Sequence, residues 1–124
     1  MDRLWLALGA FYGLVAVALG AFGAHALKGR LSVELAATYQ TAVQYQFYHA
    51  LALLAVGLLA GRGATSALNL AGASFAAGVL LFSGSLYALA LTGTRALGAI
   101  TPVGGVMFLL GWIALIYSVL NNPR

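Results

Sequence analysis

Residues 38–60 read T-Y-Q-T-A-V-Q-Y-Q-F-Y-H-A-L-A-L-L-A-V-G-L-L-A. The first half, Thr38 to His49, is rich in aromatic rings and side-chain amides. The second half runs on without a break as hydrocarbon. No proline or hinge glycine separates the two, so one helix must carry both. A polar half-helix continuous with a membrane-grade apolar half is stable only where other segments cover its polar side, because lipid offers those groups no hydrogen bonds.

The composition fixes the solvent. The chain has 124 residues, of which 63% are hydrophobic and 6% charged, whereas ordinary soluble domains carry about 25% charged residues. A hydrated surface cannot be built from so few charges, and the long uncharged runs predict membrane helices. The fold class expected is all-α, an integral membrane bundle of four transmembrane helices forming one domain over residues 1–124. The helices are expected at about 4–27, 33–60, 67–91 and 102–120, a multi-pass arrangement in a bacterial inner membrane. With no cysteine, disulfides, thiolate metal sites and redox thiols are excluded.

The net charge of +4 comes from Arg3, Lys28, Arg30, Arg62, Arg95 and Arg124 set against Asp2 and Glu34. All six cations fall at chain ends or in hinges, which is where bilayer anchoring places them. No basic face or basic run exists for nucleic acid to bind. Arg3, Arg62 and Arg124 fall on one side and Lys28, Arg30 and Arg95 on the other, so the positive-inside rule is balanced. The partner implied is the lipid bilayer; a homo-oligomer or a larger membrane complex is compatible with it, and nucleic acid is not.

Residues 4–27 form the first apolar run. Ala24-His25-Ala26 resembles a small-residue cleavage site, but the run is too long for a signal-peptide core and three more spans follow, so it reads as a retained helix. Gly9, Gly13, Ala16, Gly20 and Gly23 recur at three- and four-residue spacing and make one ridge. Small ridges let helix backbones approach closely, which drives association in lipid. The ridge packs either within the bundle or against another copy.

Lys28 to Ser32 forms the first hinge, and Ser32 is the expected N-cap of the second helix. Glu34 then sits in its first turn, where the helix dipole favours an anion. That helix, at ~1.5 Å per residue, is longer than a ~30 Å hydrocarbon core and overhangs it or tilts. Residues 61–66 make the second hinge, with Thr65 or Ser66 as cap. The third hinge, 92–100, precedes Thr101-Pro102, a capping residue followed by proline at the first helical position.

Four spans put hinges one and three on the same side. The nearer half-membrane then receives His25, Gln44, Tyr45, Tyr48, His49, Ser83, Ser85, Tyr87 and Thr101. The other half receives little beyond Tyr12, Asn69, Ser74, Tyr117 and Ser118. A polar pocket or hydrogen-bonded cluster near the first hinge is the expectation. On helix two, Glu34, Thr38, Thr41, Tyr45 and His49 fall on one stripe flanked by Gln44 and Tyr48. His49 lies about 18 Å from Gly61 by the ~1.5 Å rise, within the hydrocarbon zone. An intramembrane ionisable residue is a functional candidate by default. Two readings of it follow: a neutral imidazole tying helices together, or a titrating proton relay or ligand site. His25, nearer the interface, is the lesser candidate.

His25, His49 and Glu34 match no metal-binding spacing, so no metal or cofactor is expected. No nucleophile elbow, phosphate loop, intramembrane carboxylate pair or Cys/His dyad occurs, and Ser83-Gly84-Ser85 lacks a base. The chain is therefore expected not to be an enzyme. The leading expectation is a structural or binding membrane subunit with a polar half-membrane pocket around Tyr45 and His49. The alternative is a proton-coupled small transporter or channel using His49; small four-helix exporters set that precedent, but they depend on an embedded carboxylate that this chain lacks.

Four motifs carry a resemblance: G-A-F-G-A-H-A-L at residues 20–27, Y-Q-x-x-x-x-Y-x-F-Y-H-A-L-A-L at 39–53, L-F-S-G-S-L-Y-x-L-x-L-T-G at 81–93, and I-T-P-x-G-G-x-x-F-x-x-G-W at 100–112. Through them the chain resembles the domain-of-unknown-function family of small four-helix inner-membrane proteins typified by YgdD and YwdK, which has a small eukaryotic transmembrane relative. The resemblance covers nearly the whole chain. It implies a four-helix integral membrane protein and no catalytic residues. The matching positions are Gly20, Gly23, His25, Tyr45, His49, Ser83, Gly84, Tyr87, Thr101, Pro102, Gly104 and Gly105.

Overall fold

The computed structural model describes residues 1–121; Arg124 and the rest of the polar tail after Asn121 lie outside the described residues. The chain is all-α. It forms α1 (Asp2–His25), α2 (Val33–Ala60), α3 (Ser66–Gly78), a π turn (Val79–Ser83), α4 (Gly84–Thr92), a 3-10 turn (Arg95–Ala99) and α5 (Thr101–Asn121). The α3–π–α4 stretch is one continuous span. Four segments, Asp2–His25, Val33–Ala60, Ser66–Thr92 and Arg95–Asn121, are long and apolar enough to cross a membrane, as the composition predicts.

Local chemistry explains the boundaries. Ser32 caps α2, its Oγ accepting the Leu35 N–H at 3.1 Å, with Glu34 in the first turn. Thr65 does the same for α3, accepting from Leu68 N–H at 3.1 Å. Each cap satisfies one of the four N–H groups that a helix start leaves open. Gly93 ends α4 in the left-handed region at φ 73°, where a Cβ would be strained. Thr101 differs from expectation. It is already the first residue of α5, and its hydroxyl bonds sideways to Ser85 instead of capping the helix.

The π turn has no counterpart in the sequence reading. The Gly84 N–H bonds to the Val79 carbonyl, five residues back instead of four. One extra residue is thereby inserted into the span, and the faces of α4 are turned relative to those of α3.

α2 is the central helix. α1 lies antiparallel along it, with Gly9 opposite Ala50 and Leu54, Gly20 opposite Val43 and Gly23 opposite Tyr39. The glycine ridge of α1 thus packs inside the bundle. A Cβ on Gly9 would stand 2.9 Å from the Ala50 carbonyl oxygen and 3.0 Å from the Leu54 nitrogen, contacts that only a bare backbone permits. α5 pairs with the third span, where Gly78 meets Phe108 and Gly111 meets Phe75. The buried core joins Trp5, Leu53, Val56, Leu68, Phe75 and Phe108 across all four spans.

Candidate functional site

The inward positions of α2 are Tyr39, Ala42, Gln46, His49, Leu53, Val56 and Ala60, all buried. Their spacing alternates three and four residues, the 3.5-residue period of a helix seam. This seam sits one residue away from the stripe expected through Thr38, Thr41 and Tyr45, and shares only His49 with it. The apolar half of α2 sets the seam, because Leu53, Val56 and Ala60 must face the core, and the polar half follows by rigid rotation. Tyr39 and Gln46 are the two polar residues of this seam that the sequence reading missed. Counting back in threes and fours from Ala60 reaches both.

Gln46 is the node of the polar interior. It is 3% exposed. Its Nε2 donates to the Tyr12 carbonyl of α1 at 2.9 Å, and its Oε1 accepts from the Tyr87 hydroxyl of α4 at 2.7 Å. One amide therefore ties three spans. Side chains lean toward the N-terminus of their own helix, so Gln46 and Tyr87, on antiparallel helices, reach toward each other over the Ala42–Ser83 contact. There Ser83 Oγ donates to the Ala42 carbonyl at 2.8 Å. The Tyr39 hydroxyl donates to the Leu19 carbonyl of α1, and its ring meets that of Tyr87 edge-on with centroids 5.4 Å apart. Tyr12 completes the set by donating to the Ala76 carbonyl of α3 at 3.0 Å.

His49 occupies a second, aromatic compartment. Its imidazole stacks on Phe108 with centroids 3.6 Å apart and planes 8° off parallel. Phe75 and Trp112 close other sides at 5.5 and 5.8 Å. The indole N–H of Trp112 points at Nε2 at 3.1 Å. Indole nitrogen can only donate, so Nε2 is the acceptor. The proton then sits on Nδ1, which donates to the Tyr45 carbonyl at 2.7 Å. Both nitrogens of a neutral imidazole are thereby occupied. An imidazolium would set two donors, Nε2–H and the indole N–H, against each other.

The remaining expected site residues scatter. Ser85 Oγ donates to the Phe82 carbonyl at 3.0 Å and lies 2.6 Å from Thr101 Oγ1, joining α4 to α5. Tyr45 packs its ring on Phe82 at 4.8 Å while staying partly exposed. His25 is exposed and bonds only back along its own helix, to the Ala21 carbonyl at 2.8 Å. Gln44 and Tyr48 face outward, Tyr48 at 52% exposure. They miss the interior because the seam lies one residue from the stripe they flank. The room expected beside His49 is filled by rings, with the imidazole only 4% exposed. The polar asymmetry between halves is also weaker than the sequence suggests, since Trp5 Nε1 donates to Asn69 Oδ1 at 3.2 Å and Thr65 Oγ1 meets Ser118 Oγ at 3.4 Å at the opposite end. No buried side-chain nitrogen or oxygen among the described residues lacks a hydrogen bond. Among them, too, no three His, Asp or Glu side chains converge as a metal site would require.

Residues 19–105 match the family described as protein of unknown function (DUF423). The chain belongs to that family. It is similar over nearly its whole length to UPF0382 membrane proteins. It is 47% identical over 119 residues to SERP0230 of Staphylococcus epidermidis, covering 96% of this chain and 97% of that one. It is 44% identical over 120 residues to YwdK of Bacillus subtilis, covering 96% and 98%. No solved structure matches the chain. The segment that matches the family holds Tyr39, Gln46, His49, Ser83, Tyr87 and Thr101, whereas Tyr12, Phe108 and Trp112 lie beyond it. The chain is a multi-pass membrane protein of this DUF423 family.

Proposed function

We propose that this protein is a non-catalytic structural or binding subunit of the membrane. Its interior polar groups fasten the bundle, and its recognition takes place on the lipid-facing surface, alone or within a homo-oligomer or larger membrane complex. The observation that carries this reading is the full use of the buried polar groups. Gln46, Ser83 and His49 each bond to another helix or to its backbone within the described residues, and none of these atoms is left open to a substrate. A relay histidine needs a partner that changes role as the proton moves, and the Trp112 indole is a fixed donor.

Proteoliposomes with a pH-sensitive dye inside test this directly. The expected result is no proton flux under an imposed pH gradient, with His49→Gln lowering the melting temperature because the stack on Phe108 is lost. Flux in the parent protein that disappears in His49→Gln at unchanged stability would replace this reading with a proton-coupled transporter.

A further inference from the structure

Two clefts lie end to end along the outer seam between α1 and α2. The one at the first hinge has a volume of about 420 Å³ and is lined by Gly23, Ala24, Lys28, Tyr39 and Gln40 among others. The next, about 440 Å³, is lined by Val17, Ala21, Gln44, Phe47 and Tyr48 among others. Positions 17, 21 and 24 on α1 are spaced by four and three residues, and positions 40, 44 and 47 on α2 by four and three, with Lys28 following in the hinge just beyond α1. Each set is one helix face, so the two clefts form one trough.

Its depth can be placed. About 20 residues cross a ~30 Å hydrocarbon core. Counted from Leu4 on α1 they end near Gly23, and counted back from Ala60 on α2 they end near Thr41. Gly23 packs against the Tyr39 ring, so the two counts meet at one level. That level is the junction of the clefts. The upper cleft belongs to the headgroup zone and the lower one to hydrocarbon. From Ala16 to His25 the α1 wall of the trough rises ~14 Å, about one leaflet of a ~30 Å core, and Lys28 lies past it in the hinge.

The chemistry follows the same division. Lys28 lines the upper cleft, and among the described residues the only ion pair is that of the Met1 amine with Asp2, so its ammonium has no carboxylate partner. In the lower cleft, about one turn below the boundary, Gln44 contributes its aliphatic stem. The lower cleft is apolar, with the small Ala16 and Gly20 on its α1 side and Phe47 and Tyr48 on its α2 side. A second copy fits this face poorly. The protruding Phe47 and Tyr48 rings, at 39% and 52% exposure, hold a facing helix away from the glycine, and close approach is what helix association in lipid requires. A two-fold axis along the membrane normal through this face would also bring two Lys28 side chains together.

We propose that this trough binds an anionic phospholipid from the leaflet on the side of the first hinge. The phosphate sits at Lys28, and an acyl chain runs past Ala21 and Val17 along the aliphatic stem of Gln44. The assignment rests on the binding-subunit reading and gives it a ligand class. Basic pockets between membrane helices are recognised sites for anionic headgroups.

The test uses full-length protein, delipidated in mild detergent and offered phosphatidylglycerol or phosphatidylcholine with identical acyl chains, with retained lipid counted by native mass spectrometry. The expected preference for phosphatidylglycerol is about fivefold, the factor given by one cation near an anionic surface. Lys28→Gln, at an exposed hinge position, abolishes that preference at unchanged melting temperature. Ala21→Phe fills the trough from an outward position and removes retained lipid of both kinds. Equal retention of the two lipids by the parent protein overturns the proposal, as does a preference that survives Lys28→Gln. Loss of a homodimer in Ala21→Phe with lipid retention unaltered assigns the face to a second copy and overturns it too. Proton flux through His49 would overturn the function reading while leaving the lipid ratio standing, so the two failures are distinguishable.

Discussion

From Tyr39 to His49, α2 reaches its neighbours with side chains: the Tyr39 hydroxyl and the Gln46 amide bond to carbonyls of α1, and Gln46 also receives Tyr87. From Ala50 to Ala60 the neighbours come to α2 instead, with Gly9 of α1 against the Ala50 carbonyl and Leu6 against Gly57. The first half fixes rotation, since only one setting of α2 puts Gln46 between Tyr12 and Tyr87. The second half fixes distance, since only bare backbone allows that approach. Magnitudes separate the two further. A cross-helix hydrogen bond in a membrane protein averages about 0.6 kcal/mol and reaches about 1.7. Forcing extra carbon into a packed contact costs about 1–3 kcal/mol. Glycine contacts should therefore dominate stability, and polar ties should dominate register.

The sharpest way to break this contrast is at Gly57. A Cβ there would lie 2.6 Å from Leu6 Cγ and 2.9 Å from the Leu6 backbone nitrogen. Gly57→Ala is expected to cost about 2–3 kcal/mol, read as a shifted denaturation midpoint in detergent; an unmoved midpoint would show that α1 floats on α2. Next comes Gln46→Leu, which opens two bonds at once and is expected to cost about 1–2 kcal/mol. Paired with Tyr87→Phe in a double-mutant cycle, it should give a clearly non-additive sum, and additivity would mean that the node is not a network. The smallest effect is expected at Gln44→Leu, within about 0.5 kcal/mol, because that side chain touches no interior group. A cost there comparable with Gln46→Leu would return the seam to the stripe first drawn through Tyr45.

Four spans, their hinges and the caps at Ser32 and Thr65 were all legible in the sequence, because each depends on local chemistry. Length against bilayer thickness sets the spans, and a hydroxyl three residues before an open N–H sets the caps. Glu34 is explained by its first-turn position. The rotation of α2 was not legible from its polar half. There, polar residues occur on every side, with Gln40, Gln44 and Gln46 all available, so a stripe can be drawn through several sets. Only the apolar half breaks the tie, and it places Tyr39 and Gln46 inside while turning Gln44 and Tyr48 out. His49 survives either choice because it lies where the two stripes cross. Its tautomer was beyond the sequence, since it depends on the indole of Trp112, 63 positions away.

The π turn at Val79–Ser83 bears on how this chain tolerates changes of length. Each residue of an α-helix advances the face by about 100°. Deleting one residue in a regular stretch of a span would turn everything beyond it by that angle. Deleting one within the π turn instead removes the extra residue together with the wider winding that absorbs it, so Tyr87 keeps facing Gln46. The same deletion in a hinge would leave every helix with its old neighbours. The π turn is thus a place inside a span where a single-codon loss leaves the helix partners unchanged.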